Sequence, residues 1–206
     1  MQDVFPVTKT GRSRWTVGFD DVRGTAEDPH PHGAMDVGGK IGTDLLTVCK
    51  GVGCYQLVHK ESSSYDNKTF RDGNGQEWPW RNYRVSVFGG VFILYDHVRD
   101  RTFVYCHLEP DDVWERMKGR IVRHAWSKQN ARRYAQSWLS GWRQYEAGAV
   151  IGGIGWAGYC LHNGSTSDRR SAHLHAEAHH GRGWDAWQDR IRFEDLFPGE
   201  WAKKRI

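Results

Sequence analysis

The sequence lacks any long apolar run. A membrane-spanning helix needs about 20 consecutive apolar residues, and no stretch of this chain approaches that length. We therefore expect no membrane span. The first residues, from Met1 to Pro6, also lack a basic segment followed by an apolar one, so we expect no export signal peptide.

Cysteine is scarce and its spacing is uninformative. The four cysteines are Cys49, Cys54, Cys106 and Cys160, and the absence of a Cys-x-x-Cys pair argues against a thiolate zinc site. Cys49 and Cys54 could pair across a hairpin in an oxidising compartment. A chain without an export signal more often keeps its thiols reduced, so we expect free thiols.

A strong excess of charge of either sign is also missing. The formal net charge is +4, with acidic and basic residues interspersed, which argues against a dedicated nucleic-acid binder and suits a polyanionic surface such as a cell wall. No repeat or low-complexity linker divides the 206 residues, so residues 1–206 are expected to form one domain. The 24 glycines and the weak helical periodicity favour a turn-rich β fold.

The most informative segment runs from Ser171 to Ala178. Its apolar and polar residues alternate with period two, which predicts a β-strand with His173, His175 and Glu177 on one face. Two imidazoles on one face can hold a metal and address what the metal binds. The same pattern is also typical of a half-buried strand with a solvated histidine face.

A second candidate segment lies between Asp28 and Gly38. Its prolines and glycines predict loop or strand-edge backbone, from which His32 and Asp36 are presented. An imidazole nitrogen and a carboxylate oxygen are standard zinc donors. His30 is a rival ligand, and an ordinary turn with a solvated histidine and aspartate is the simpler interpretation of this segment by itself.

A third histidine ends a predicted strand. Residues 84–88, 91–97 and 102–107 read as three consecutive strands, with Gly89-Gly90 as the first turn. His107 closes the third strand, which can bring its side chain to a site at the sheet edge. A surface histidine at a strand end is the alternative.

Three other segments complete the predicted fold. Residues 41–58 are interpreted as a hairpin, and residues 60–82 as a long connection. Residues 111–145 have apolar residues at helical spacing and predict a helical insertion.

The ordered motifs resemble a known family. His32 and Asp36 form His-x-x-x-Asp, Tyr105 to Leu108 read Tyr-x-His-Leu, residues 151–155 are glycine-rich, and His173 to His175 form His-x-His. In this order they resemble the lysostaphin/LytM-type zinc endopeptidases, which cut peptide cross-links of bacterial peptidoglycan. The resemblance covers roughly residues 14–198 and implies an antiparallel β-sheet core of that peptidase type.

The resemblance also implies roles for five residues. His32, Asp36 and His175 match the three ligands of one zinc ion, whereas His107 and His173 match the catalytic pair. Three protein ligands leave room for water at a zinc ion. One imidazole can then take a proton from the attacking water while the other stabilises or protonates the reacting groups, and either histidine can fill either role.

The implied function is hydrolysis of peptide cross-links or stem peptides in peptidoglycan. The expected partner is therefore peptidoglycan and not nucleic acid, and the expected place of action is the cell wall. Without a visible signal peptide, a phage-encoded or virion-associated lysin is one expectation. The alternative is a catalytically degenerate wall-binding or tail-assembly module with the same fold.

Overall fold

The computed structural model describes residues 3–8, 14–24, 26–27, 29–59, 69–71, 77–79, 85–108, 143–155, 172–181 and 190–199. Regular structure in these residues is almost entirely β-strand. In chain order the strands are β1 (Arg14–Val17), β2 (Val22–Gly24), β3 (Pro29–Pro31), β4 (Met35–Gly38), β5 (Asp44–Leu46), β6 (Gly51–His59), β7 (Thr69–Arg71), β8 (Glu77–Pro79), β9 (Val85–Asp96), β10 (Arg101–Leu108), β11 (Arg143–Tyr145), β12 (Val150–Gly153), β13 (His173–His180) and β14 (Arg190–Ile191).

Eight of these strands form one sheet. Their spatial order is β1-β4-β13-β10-β9-β6-β11, and β14 also pairs with β13. All of the pairings in this sheet are antiparallel. The prediction of a mainly β fold with an antiparallel sheet is therefore confirmed.

Smaller elements lie outside the main sheet. Two-stranded sheets join β12 to β5, β2 to β3 and β7 to β8. A short helix, α1 (Phe193–Leu196), follows β14. Among the described residues, no helix has the length and apolar character needed to cross a membrane.

Strand β13 has the alternation that its sequence predicts. Leu174, Ala176 and Ala178 are fully buried and belong to the larger hydrophobic core. Successive side chains of a strand point to opposite faces, so His173 and His175 lie on the other face. The predicted division of this strand into an apolar and a histidine face is confirmed.

A smaller apolar cluster lies on the histidine face of the sheet. It consists of buried side chains from three adjacent strands: Cys54, Val91, Ile93, Val104 and Cys106. Cys106 pairs with His175 and Val104 pairs with Glu177, so the polar row of β13 runs directly beside this cluster.

Two predicted local features, a turn and a hairpin, are wrong. Gly89 and Gly90 lie inside the single strand β9, because β10 pairs with this strand as far as Gly90 and β6 continues the ladder past it to Val85. The hairpin predicted within residues 41–58 is also absent from the described pairings, since β5 pairs with β12 and β6 pairs with β9 and β11. Pairing with distant strands outweighed the local turn signals in both places.

The predicted insertions lie mostly outside the described residues. Arg143–Tyr145, expected at the end of the helical segment, form strand β11 and pair with β6. The ring of Tyr145 packs edge-on against Phe92, with 5.1 Å between centroids, and this long-range contact explains why the helical spacing misled at this end. Within the connection 60–82, β7 and β8 pair with each other. The remainder of both insertions lies outside the described residues.

The thiol prediction holds for the cysteines that the structure describes. Cys49, Cys54 and Cys106 are buried, reduced thiols, whereas Cys160 lies outside the described residues. Burial raises the pKa of the Cys49 thiol to about 12, so this thiol is protonated and unreactive at neutral pH.

Tyr105 links the core of the sheet to the segment after β5. Its side chain is fully buried, and its hydroxyl accepts a hydrogen bond from the backbone N–H of Val48 at 2.9 Å. A buried N–H without an acceptor costs about 1–3 kcal/mol.

We therefore expect Tyr105→Phe to lower the free energy of unfolding by about 1–3 kcal/mol. Urea denaturation followed by fluorescence measures this change. Tyr95→Phe is the control, because the hydroxyl of Tyr95 bonds to Asp100 at an exposed position where water replaces the lost partner. Equal stability of the two variants would contradict the role given to Tyr105.

Candidate metal centre

The register between β4 and β13 sets the centre of the site. His175 lies directly opposite Asp36 in this antiparallel pair, and directly opposed residues project to the same face. Nδ1 of His175 is 3.0 Å from Oδ1 of Asp36. The predicted imidazole and carboxylate donors therefore meet across two neighbouring strands.

His32 reaches the same point from the turn between β3 and β4. Gly33 has a positive φ of 68°, a backbone conformation that glycine adopts without steric cost. The N–H groups of His32 and Gly33 donate to the carbonyls of Asp21 and Phe19, each at 2.8 Å. These bonds hold the turn so that Nε2 of His32 lies 3.3 Å from Oδ1 of Asp36.

The tautomer of His32 follows from its second ring nitrogen. Nδ1 lies 3.1 Å from the carbonyl oxygen of Ala34 and 3.3 Å from that of Gly18. A carbonyl oxygen only accepts hydrogen bonds, so Nδ1 carries the proton. Nε2, which faces Asp36, is then the nitrogen that would offer its lone pair to a bound metal ion.

His175 is oriented by a carboxylate on each side. Its Nδ1 contacts Asp36 and its Nε2 lies 3.0 Å from Oε1 of Glu177. Burial lowers the pKa of His175, but hydrogen bonds to Asp36 and Glu177 outweigh burial and raise that pKa to about 9. A metal ion would replace the proton on Nδ1, while Nε2–H would continue to donate to Glu177.

Asp36 is ionised in this environment. Burial raises its pKa, but the hydrogen bonds from His175 and His32 and the charges of nearby histidines outweigh burial, and the pKa lies well below the ordinary value. A buried carboxylate surrounded by imidazoles is therefore available as an anionic ligand.

The donor set fits a divalent transition metal. One ligand atom each from His32, Asp36 and His175 lies within 4.8 Å of the others. Imidazole nitrogen and carboxylate oxygen are ligands of zinc and of its neighbours in the first transition row. The two imidazoles already have their remaining nitrogens committed to protein acceptors, which is the usual arrangement around a bound metal.

His107 and His173 lie beside these three residues. Nε2 of His173 is 3.9 Å from Oδ1 of Asp36, and the ring centroids of His107 and His173 are 4.7 Å apart. The ring of His107 is 5.9 Å from that of His175. The structure thus brings all five predicted site residues together.

The backbone of His107 explains its reach. The pairing of β10 with β9 shifts register between Tyr105 and Leu108, and His107 has a positive φ of 62°. Such a bulge turns a side chain away from the regular alternation of its strand. It therefore aims His107 at the ring of His173.

His30, the rival ligand, is not part of the donor group. It lies in β3, where it pairs with Arg23. Two further residues, the buried His179 and the half-buried Arg190, bond to Glu177 and were not predicted from the sequence. The polar alternation that continues from His175 through Glu177 to His179 could have indicated His179. Arg190 lies in another strand, and no local pattern indicates it.

No protein-family model matches the sequence, and no curated protein matches it. Among solved structures, the chain is similar to a zinc-containing peptidase from Vibrio cholerae (16% identity, TM-score 0.47, 91% of this chain and 37% of that chain). It is also similar to Csd3 from Helicobacter pylori (14% identity, TM-score 0.42, 99% of this chain and 42% of that chain).

A further similar structure is the catalytic domain of the antimicrobial peptidase lysostaphin from Staphylococcus simulans. The identity is 13% and the TM-score 0.40, over 95% of this chain and 91% of that domain. The chain spans less than half the length of the first two proteins, at 37% and 42%. Because these sequence identities are so low, the chemistry of the site is argued only from the side chains of this chain.

We expect the purified, metal-free protein to bind one Zn²⁺ or Co²⁺ ion. His175→Ala removes one of three donors and is expected to weaken binding by at least about 100-fold, since ligand loss costs more than the 10–100-fold loss of outer-shell partners. Isothermal titration calorimetry measures both. His180→Ala is the control because His180 is an exposed residue of the same strand. Equal binding by the two variants would contradict the proposed donor set.

The raised pKa of His175 predicts a pH dependence for the metal-free protein. Below pH about 6.5 this histidine is protonated in both the folded and the unfolded chain, and its full contribution to stability is present. As the pH rises towards about 9, the pKa of folded His175, that contribution is lost. The free energy of unfolding should therefore fall across this window.

Urea denaturation in the presence of chelator at several pH values measures this decrease. His175→Gln should flatten the dependence, whereas the exposed-site control His180→Ala should keep it. A wild-type profile that rises across the window would contradict the assigned protonation.

Proposed function

We propose that the chain is a zinc-dependent endopeptidase that hydrolyses peptide cross-links or stem peptides of bacterial peptidoglycan. The observation that carries the proposal is the grouping of three metal donors with two further imidazoles. His32, Asp36 and His175 would hold the ion, and His107 and His173 lie beside them with ring centroids 4.7 Å apart.

The number of donors favours a catalytic ion. Structural zinc sites usually close all four positions with protein ligands, whereas catalytic sites use three and keep one position open. Among the described residues, the donor group contains three members. The adjoining Cys106, buried and paired in register with His175, is not one of them.

Bound zinc would supply Lewis-acid chemistry, polarising the scissile carbonyl and lowering the pKa of water. The protein would supply the proton transfers. In the proposed mechanism, one imidazole of the His107–His173 pair accepts a proton from the attacking water, and the other donates a proton to the leaving amine. Each group then returns to its starting protonation state when the products leave.

Exposure distinguishes the two histidines. The side chain of His173 keeps 18% of its accessible surface, whereas His107 is buried, with 4% exposed. His173 therefore has the freer access to solvent and to a substrate, and His107 is held by the bulged end of β10. Both positions are compatible with either proton-transfer role.

The proposed place of action is the bacterial cell wall, where the substrate lies. The prediction that the chain is a phage-associated or virion-associated lysin stays a prediction. A catalytically degenerate wall-binding module is the outcome to be distinguished by experiment.

We expect zinc-loaded protein to release cross-link fragments from purified peptidoglycan and chelator to abolish the release. Mass spectrometry of fragments from a glycine-bridged and a directly cross-linked peptidoglycan identifies the bond. His107→Ala and His173→Ala should each lower the rate by about 10²–10⁴-fold, the usual contribution of general acid–base catalysis.

Metal content separates catalysis from metal binding in these variants. Both should retain one zinc ion by elemental analysis, and the control His180→Ala should keep the wild-type rate. Zinc-loaded wild type that binds either peptidoglycan but releases no fragments would overturn the enzymatic proposal and favour the wall-binding module.

A further inference from the structure

A buried carboxylate occupies a junction between strands beside the metal donors. On one side of β13, residues His173–Ala176 pair with β4, whereas Ala178 and His179 pair with β14. Glu177 falls between these two pairings and is 1% exposed. An ionised side chain that is buried requires hydrogen-bond partners. One partner of Glu177 is the metal donor His175.

Among the described residues, three donors converge on Glu177. Its Oε1 accepts from Nε2 of His175 at 3.0 Å and from Nη2 of Arg190 at 3.1 Å. Its Oε2 lies 2.9 Å from Nε2 of His179. The oxygen that orients the ligand His175 is therefore also the oxygen held by Arg190.

The other arm of Arg190 bonds to the backbone beside the second imidazole ligand, His32. Its Nη1 donates to the carbonyl oxygen of Gly33 at 2.7 Å and to that of His32 at 3.3 Å. One planar guanidinium thus joins the carboxylate that orients His175 to the backbone that carries His32. Because the nitrogens of a guanidinium are fixed in one plane, its two arms cannot move independently.

Gly33 is shaped to receive this guanidinium. A Cβ atom on Gly33 would overlap Nη1 of Arg190 and crowd the rest of its side chain. The absence of a side chain at Gly33 therefore serves the contact with Arg190 as well as the positive φ. Two separate observations, the hydrogen bonds and this close approach, indicate a built arrangement.

We propose that Arg190 is a positioning residue for the metal centre, coupling the orientation of His175, through Glu177, to that of His32, through the Gly33 turn. The inference rests on the metal centre of the proposed function and deepens it. A purely structural ion pair that ties β14 to the sheet would instead affect only folding.

The test measures metal binding and metal geometry in the full chain. Arg190→Gln and Gly33→Ala should each weaken Zn²⁺ binding by about 10–100-fold, as loss of outer-shell partners does, in competition with a chromophoric chelator. Both should also change the visible absorption of the Co²⁺-loaded protein, which reports ligand geometry. Arg190→Lys should fall between wild type and Arg190→Gln, because an ammonium group lacks the planar fork.

Matched controls are present in the chain. Arg192→Gln removes an arginine whose partner, Asp20, is exposed. Gly42→Ala adds a methyl group at another positive φ, 81°, where no atom lies within 4 Å of the new Cβ. Both controls should keep the wild-type zinc affinity and Co²⁺ spectrum.

The double variant Gly33→Ala/Arg190→Gln tests whether the two residues act together. If they do, its loss of zinc affinity should be smaller than the product of the single losses, because both changes break the same coupling. Multiplicative losses would contradict the shared arrangement.

Wild-type zinc affinity and Co²⁺ spectrum in Arg190→Gln, with lowered stability in urea, would overturn the proposal and leave a structural ion pair. If Arg190→Gln fails to fold, Arg190→Lys and Gly33→Ala carry the same test. Failure of peptidoglycan hydrolysis with normal zinc binding would sink the proposed function without affecting this result. Wild type that binds neither ion would overturn both.

Discussion

The register between β4 and β13 is the constraint on which the rest of the site depends. Because side chains alternate along a strand, a slip of one residue would turn Asp36 towards the hydrophobic core and bring Met35 or Val37 to the histidine face. The core prevents such a slip, since Met35, Val37 and Leu174 are buried together behind the site. Packing on the apolar face of the sheet therefore fixes chemistry on the polar face.

Buried charge is the second organising feature. Asp36 and Glu177 flank His175, and the hydrogen bonds described above for these carboxylates also orient a neighbouring ring or backbone segment. An unpaired carboxylate is costly to bury because it loses its hydration. The contacts that pair these carboxylates also orient the imidazoles. The hydrogen bonds that offset the cost of burying these charges therefore also set the geometry of the site.

The sequence predicted those features that depend on a local pattern. Period-two alternation located β13 and its two faces, and the His-x-x-x-Asp spacing located His32 and Asp36. It could not predict the role of Arg190, because this residue reaches the site from a separate strand. It also could not predict the bulge at His107, because one extra residue in a strand does not change the hydropathy pattern. The turn predicted at Gly89-Gly90 and the helix predicted at Arg143–Tyr145 failed for a related reason, since pairing with distant strands decided both segments.

The left-handed backbone at His107 has a consequence for how such a protein can change. A non-glycine residue held at positive φ costs on the order of 1 kcal/mol or more, so glycine at this position would relieve strain in the folded chain. Selection for stability alone would favour that replacement and remove the imidazole. Under the proposed function, catalysis and stability are therefore opposed at this one residue. A stabilised descendant of the fold would be expected to lose its chemistry here before it loses the sheet.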